Sequence, residues 1–171
     1  MEIDNTLLIE RSKQGDTRAF SQLYSLYATE MFRFAMYMMG NKEDAEDAVQ
    51  EAVFSAWRNI NTLKEASLFK VWLFKILSNR CKTELMKKNK FPDTLPVEDY
   101  EFMVENEEFS FTGTELKEAL ASLTPPDGQI ILLSVIGGFT SDELAEIFSM
   151  PASTIRSRQK RALQKLRDIF S

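Results

Sequence analysis

The sequence predicts an all-α protein of two small helical domains joined by an acidic, flexible linker, and three observations carry that expectation. Apolar residues recur at helical spacing over long stretches near both ends of the chain, with capping residues where stretches begin and a glycine, Gly40, where the first of them stops. Between them, FPDTLPVEDYEFMVENEEFSFTGTE has no 3.6-residue rhythm, two prolines and a run of carboxylates. Charge is divided to match: residues 1–91 hold 14 basic and 12 acidic side chains, residues 92–122 hold 1 and 9, and residues 123–171 hold 6 and 5. The boundaries follow as 1–91, a linker over 92–113, and 114–171. With 44% hydrophobic content in 171 residues, each part can bury a modest core.

The first strong pattern is GDTRAFSQLYSLYATEMFRFAMYMMG, read as a helix from an N-cap at Asp16 to a terminator at Gly40. Phe20, Leu23, Tyr24, Tyr27, Met31, Phe34, Ala35 and Met38 share one face, which is packing material. NKEDAEDAVQEAVFSAWRNI follows, with Ala45, Ala48, Val49, Ala52, Val53, Ala56, Trp57 and Ile60 on a single stripe. At 100° per residue the opposite stripe holds Asp47, Gln50, Glu51, Phe54 and Arg58. A phenylalanine ringed by carboxylate, amide and guanidinium has the anchor-and-rim layout of a protein-binding surface. One exposed apolar residue is also ordinary.

SLFKVWLFKILSNRCKTELMKKNK is the next helix, with seven Lys or Arg against Glu84. Its buried face is Val71, Phe74, Leu77, Ser78, Cys81 and Leu85, which makes Cys81 a small core residue. The other face displays Trp72, Lys75, Asn79, Arg80, Lys82, Thr83 and Lys87. Cations beside an aromatic and an amide suit phosphates and an unpaired base. A solvated lysine face with a half-buried Trp is the plainer alternative. In the acidic linker, Phe102, Phe109 and Phe111 are more aromatic content than a solvated tether needs, so a docking role stands beside the spacer reading.

Near the C-terminus, FTSDELAEIFSMPASTIRSRQKRALQKL opens on a capping box, Thr140 with Glu143. A short amphipathic helix runs through Leu144, Ala145, Ile147 and Phe148, and Pro151 suits the first turn of a second one. Two helices so closely joined form a helix-turn-helix. Ile155, Leu163, Leu166 and Phe170 make the apolar arc of the second helix, and Ser157 lies diametrically opposite. Ser153, Thr154, Lys160 and Arg161 surround Ser157, with Arg156 and Arg158 at the flanks. Small hydroxyls allow close approach to a groove while the cations meet phosphates or guanine edges.

Composition excludes much else. There is no histidine and one cysteine, so the usual metal ligand and general base are missing and no internal disulfide can form. Neither a GxGxxG nor a Walker pattern is present. No catalytic residue, metal or cofactor is expected. No apolar run is long enough to cross a bilayer, and MEIDNTLLIERSKQGD lacks the features of a signal peptide, so a soluble, cytoplasmic protein without membrane insertion is expected.

From about Gly15 to Phe170 the chain closely resembles the extracytoplasmic-function (ECF) sigma factors of the bacterial sigma-70 family. DAEDAVQEAVFSAW is similar to that family's core-polymerase-binding segment and FKVWLFKILSNRCKTELMKK to its promoter-melting helix. ALASLTPPDGQIILLSVIGGFTSDELAEIFSMPASTIRSRQKRALQKLR is similar to its minus-35-reading domain. The resemblance implies that Asp47, Gln50, Glu51, Phe54 and Arg58 contact the clamp helices of the largest subunit of core RNA polymerase. It places Asn61, Thr62, Leu63 and Lys64 in a loop that captures a flipped minus-10 base, with Trp72, Lys75, Asn79, Arg80, Lys82 and Thr83 holding the separated strand. Ser153, Thr154, Arg156, Ser157, Arg158, Lys160 and Arg161 are then the minus-35 contacts with promoter DNA. An anti-sigma factor is the implied inhibitory partner. The remaining alternative is a stand-alone helix-turn-helix regulator, which has no need of the Phe54 face.

Overall fold

A computed structural model of the protein describes residues 5–88, 104–105, 110–111 and 113–170. Most of the expected acidic linker, with Phe102 and Phe109, lies outside the described residues. The N-terminal group comprises α1 (Thr6–Lys13), α2 (Thr17–Ser25), α3 (Ala28–Met39), α4 (Lys42–Asn59) and α5 (Phe69–Lys87). Two 3-10 turns, Ile60–Thr62 and Ala66–Leu68, join α4 to α5. The C-terminal group comprises α6 (Gly113–Ser122), α7 (Pro125–Ile136), α8 (Ser141–Phe148) and α9 (Ala152–Phe170). The class is all-α, with one small addition: β1 (Val104–Glu105) and β2 (Ser110–Phe111) pair antiparallel, Val104 opposite Phe111. None of the described helices is long and apolar enough to cross a membrane.

Local chemistry explains the helix ends. The Asp16 carboxylate accepts hydrogen bonds from the Arg18 and Ala19 amides, both at 3.1 Å, and pairs with Arg11 at 2.8 Å. The Ala19 hydrogen bond first, and Arg11 with it, holds that carboxyl below the usual range. Gly40 ends α3 in the left-handed region at φ +82°, where a side chain is strained. The single helix expected between Asp16 and Gly40 is instead two. The chain breaks at Leu26 and Tyr27, where the Tyr27 amide donates to the Tyr24 carbonyl at 2.9 Å in a tight turn. That turn lays the Tyr27 ring 5.8 Å from Phe69 and lets its hydroxyl accept from Asn5 Nδ2 at 2.9 Å. Tertiary contacts override the local periodicity there. The short helix α1 was not expected at all. Eight residues hold few periods, and it is secured by burying Ile9 and Ser12.

Packing joins the two groups into one body. A contiguous buried cluster runs from Leu23 and Phe34 through Phe74 and Leu77 to Leu144, Ile147 and Ile155. A second, smaller cluster holds Ala119, Leu123, Ile131, Ala162 and Leu166. Helix α5 packs against α3 and α4 and also against α8, while α3 meets α7. All six residues expected on the buried face of α5 are buried, and Phe69 and Leu73 are buried as well, as befits a helix packed on two sides. At the α3–α7 crossing Gly128 is required by its neighbour. A Cβ there would stand 1.9 Å from Tyr37 Oη.

Candidate functional site

Three surfaces carry the residues singled out by sequence. The first is the outward face of α4. Asn41 caps this helix by accepting from the Asp44 amide at 2.9 Å, and Glu43 and Asp44 complement the helix dipole in the first turn. The alanines Ala45, Ala48, Ala52 and Ala56 are fully buried, which turns Asp47, Gln50, Glu51, Phe54 and Arg58 outward, all of them exposed. Phe54 is 58% exposed, with the Arg58 guanidinium 4.6 Å from its ring centroid. Grooves flank it on both sides, one toward α5 beside Ile76 and Asn79, the other toward α2 beside Phe20, Tyr24 and Trp57. Glu51 forms an ion pair with Arg80 of α5, which also meets Glu84 at 3.0 Å. Residues expected on two different surfaces are thus tied to each other.

The second surface is the α4–α5 loop with the polar face of α5. Lys13 Nζ donates to the Leu63 carbonyl at 2.7 Å and the Thr62 hydroxyl to the Asn59 carbonyl at 2.7 Å, which pins the loop. Asn61, Thr62 and Lys64 are exposed. Leu63, expected to meet a base, is only 4% exposed, and its side chain belongs to the core cluster. A leucine between two polar neighbours turns inward because burial is worth roughly 1.5–3 kcal/mol to it. On α5, Asn79 and Thr83 are exposed, whereas Trp72, Lys75, Arg80 and Lys82 are half-buried. For Lys75 and Lys82 the cause lies in α8. Lys75 pairs with Glu146 at 3.0 Å, and Lys82 Nζ sits 5.5 Å from the Phe148 ring centroid. Burial pushes the Lys82 ammonium pKa down.

The third surface is the turn between α8 and α9 with the outer face of α9. The capping box is present in full: Thr140 Oγ1 accepts from the Glu143 amide at 3.2 Å, and the Glu143 carboxylate accepts from the Thr140 amide at 2.9 Å. Ser149 turns the chain at φ +53°. Pro151 stands just ahead of α9 rather than in its first turn, and its carbonyl accepts from the Ile155 amide at 3.1 Å. Ser153, Arg156, Ser157, Lys160 and Arg161 are exposed on one face, and Thr154 is half-buried. Arg158 departs from the expectation. Its guanidinium is engaged with Asp127 of α7 at 2.9 Å, so it holds the fold of the C-terminal group rather than projecting outward. Sequence spacing had no means of pairing residues 31 positions apart.

Among the described residues no group of three or more His, Cys, Asp or Glu side chains could hold a metal ion. Cys81 is buried, and desolvation pushes its thiol up to about 12. An inert thiol fits a packing role.

Residues 23–91 match the family description "Sigma-70 region 2", and residues 114–166 match "Sigma-70, region 4". RNA polymerase sigma factor SigV of Bacillus subtilis is 30% identical over 138 residues, spanning 81% of this chain and 82% of that one. The chain belongs to the sigma-70 family, in its ECF group. The ECF RNA polymerase sigma-E factor of Escherichia coli K12 is 27% identical over 179 residues, covering 96% of this sigma factor and 93% of its relative. Among solved structures, RpoE bound to the anti-sigma factor NepR, from Bartonella quintana, aligns with a TM-score of 0.70 at 25% identity, over 88% of this chain and 96% of that one. CnrH, solved with the cytosolic domain of CnrY, shares the fold at a TM-score of 0.71 and 20% identity, over 96% and 95% of the two chains. As a sigma factor the protein directs promoter recognition by RNA polymerase and is not itself an enzyme.

Proposed function

We propose that the three surfaces divide the work of initiation, with residues 1–91 as the polymerase-binding and minus-10 domain and residues 114–171 as the minus-35 domain. The α4 face centred on Phe54 docks on the clamp helices of core RNA polymerase. The observation that carries this assignment is a phenylalanine 58% exposed on a helix whose opposite stripe is sealed by alanines. Fully desolvating such a ring between two grooves is how an interface anchor acts.

Asn61, Thr62 and Lys64, with Trp72, Lys75, Asn79, Lys82 and Thr83, take the minus-10 element. Lysines neutralise phosphates, and the indole supplies a stacking surface for an unpaired base. Unstacking a base costs a few kcal/mol, which the polymerase contacts help offset. Leu63 supports this loop from within the core. On α9, Arg156, Lys160 and Arg161 with Ser153, Thr154 and Ser157 enter the major groove of the minus-35 element, and Arg158 braces the helix against α7. Neither DNA contact need be tight alone, because mounting both on one enzyme raises the effective concentration of the second. The relative RpoE is solved with an anti-sigma factor, which supports an anti-sigma partner for this chain also. The site of action is the bacterial cytoplasm, where polymerase and promoters are.

The test is transcription in vitro with core polymerase free of other sigma factors, on fragmented genomic DNA from the source organism. Start sites that need the added protein support the reading and reveal the promoter sequence. Binding to duplex DNA with no affinity for core polymerase would replace it with a stand-alone regulator.

A further inference from the structure

The short helix α1 is tied to both ends of the loop between α4 and α5. That loop, residues 60–68, is two 3-10 turns with Leu63, Lys64 and Glu65 between them. The chain leaves the first turn at Leu63 in extended geometry, φ −68° and ψ 118°, so the Leu63 carbonyl falls outside the turn's own hydrogen bonding. Lys13, in the last turn of α1, supplies a donor: its ammonium reaches that carbonyl at 2.7 Å across 50 positions of sequence. A hydrogen bond from a charged donor is short and strong. The Leu63 side chain is meanwhile sealed in the core. Leu63 is thus held by both its carbonyl and its side chain, and Thr62 and Lys64 on either side of it face solvent.

The other end of α1 serves the far end of the loop. Asn5, its N-cap, donates to the Tyr27 hydroxyl at 2.9 Å, and the Tyr27 ring lies 5.8 Å from Phe69, on which α5 begins. Helix α1 also packs directly against both 3-10 turns. Its contribution to the core is Ile9 and Ser12. Asn5 and Lys13 are only half-buried, so their reach toward the loop is not a by-product of packing.

We propose that Lys13 is the positioning residue of the minus-10 loop: through the Leu63 carbonyl it fixes the backbone that aims Thr62 and Lys64 at the captured base, without touching DNA itself. This rests on the assignment of that loop to the minus-10 element given above. A site carried on a loop binds only as well as its competent conformation is populated. Releasing the carbonyl therefore lowers the gain from the correct base, while the Phe54 face of α4 and the cations of α9 keep their places.

The experiment uses the full chain with core polymerase on a promoter found by the transcription test. The same promoter is also prepared with an abasic site at each minus-10 and minus-35 position in turn. Initiation on intact over abasic DNA measures what each base contributes. Lys13→Met keeps the apolar stem and removes the donor, whereas Lys13→Arg keeps a charged donor. At the captured minus-10 base the ratio is expected to fall about tenfold in Lys13→Met, as for a competent population cut to roughly one-tenth, and to be largely kept in Lys13→Arg. The minus-35 ratios and core binding stay as in the parent. Amide hydrogen exchange across residues 62–65 rises in Lys13→Met, a readout independent of initiation. An unchanged ratio overturns the proposal, as does a loss that Lys13→Arg shares in full or one that falls equally on the minus-35 ratios. If Lys13→Met does not bind core polymerase, Lys13→Gln is read in its place; loss of core binding in both overturns the proposal, since Lys13 then serves the fold at large. A parent protein that initiates but is indifferent to every minus-10 abasic site removes the loop assignment itself.

Discussion

Gly128→Ala is the sharpest structural test of how the two helical groups are joined. The new Cβ would lie 1.9 Å from Tyr37 Oη and 2.8 Å from Cζ, against an ordinary carbon contact of about 3.5 Å or more. Tyr37 is 4% exposed, so its ring cannot leave without vacating core. Overpacking of this kind costs about 1–3 kcal/mol. Alanine meanwhile favours the helix over glycine by about 1 kcal/mol. The net is about 0–2 kcal/mol against docking, a shift of up to roughly 30-fold toward the separated arrangement. Trp72 lines the cleft under α8 and reports that separation. In a Trp57→Phe background, acrylamide quenching of Trp72 is followed along a urea titration, and Gly128→Ala is expected to expose the indole at lower urea. Adding Tyr37→Phe removes the atom nearest the new methyl and should recover part of the loss. A midpoint that rises, as helix propensity alone would give, or a loss that Tyr37→Phe does not soften, would refute the crossing described between α3 and α7.

Four further outcomes are expected. Phe54→Ala weakens core-polymerase binding by about 2 kcal/mol or more, with helical content unchanged by circular dichroism; unaltered affinity in a titration with core enzyme removes Phe54 from the interface. Arg161→Ala reduces initiation from minus-35-dependent promoters without loss of polymerase binding, and if the contact is to phosphate the salt slope of promoter binding falls by about one. Thr140→Ala deletes half of the capping box and lowers stability by about 1 kcal/mol in denaturant unfolding, whereas Thr140→Ser largely preserves it. Stability also falls at high pH: burial raises Cys81 and Tyr37 to about 12 from 9.0 and 10.0, with Asp127 adding to Tyr37. Their neutral forms favour the fold fully below pH 9, and as the unfolded chain ionises first that stability is lost between about pH 9 and 12. Thermal melts of Cys81→Ala should show a shallower alkaline decline than the parent protein.

Much of this was legible in the chain itself. The stripe Ala45, Ala48, Ala52 and Ala56 determines which face of α4 is sealed, and with it that Phe54 faces out, because helical geometry maps spacing directly onto direction. Asp16, Gly40 and the Thr140–Glu143 box likewise act through neighbours within a few residues, so the ends they make can be read one turn at a time. What sequence alone left undetermined depends on partners far along the chain. The break at Tyr27 exists because Phe69 and Asn5 meet it there. Leu63 turns inward and Arg158 turns to Asp127 because tertiary packing offers a core to one and a carboxylate to the other. The closure of α8 over α5 is of the same kind. Periodicity places Lys75 and Glu146 on the polar faces of their own helices, but only the folding of one group onto the other makes them a pair.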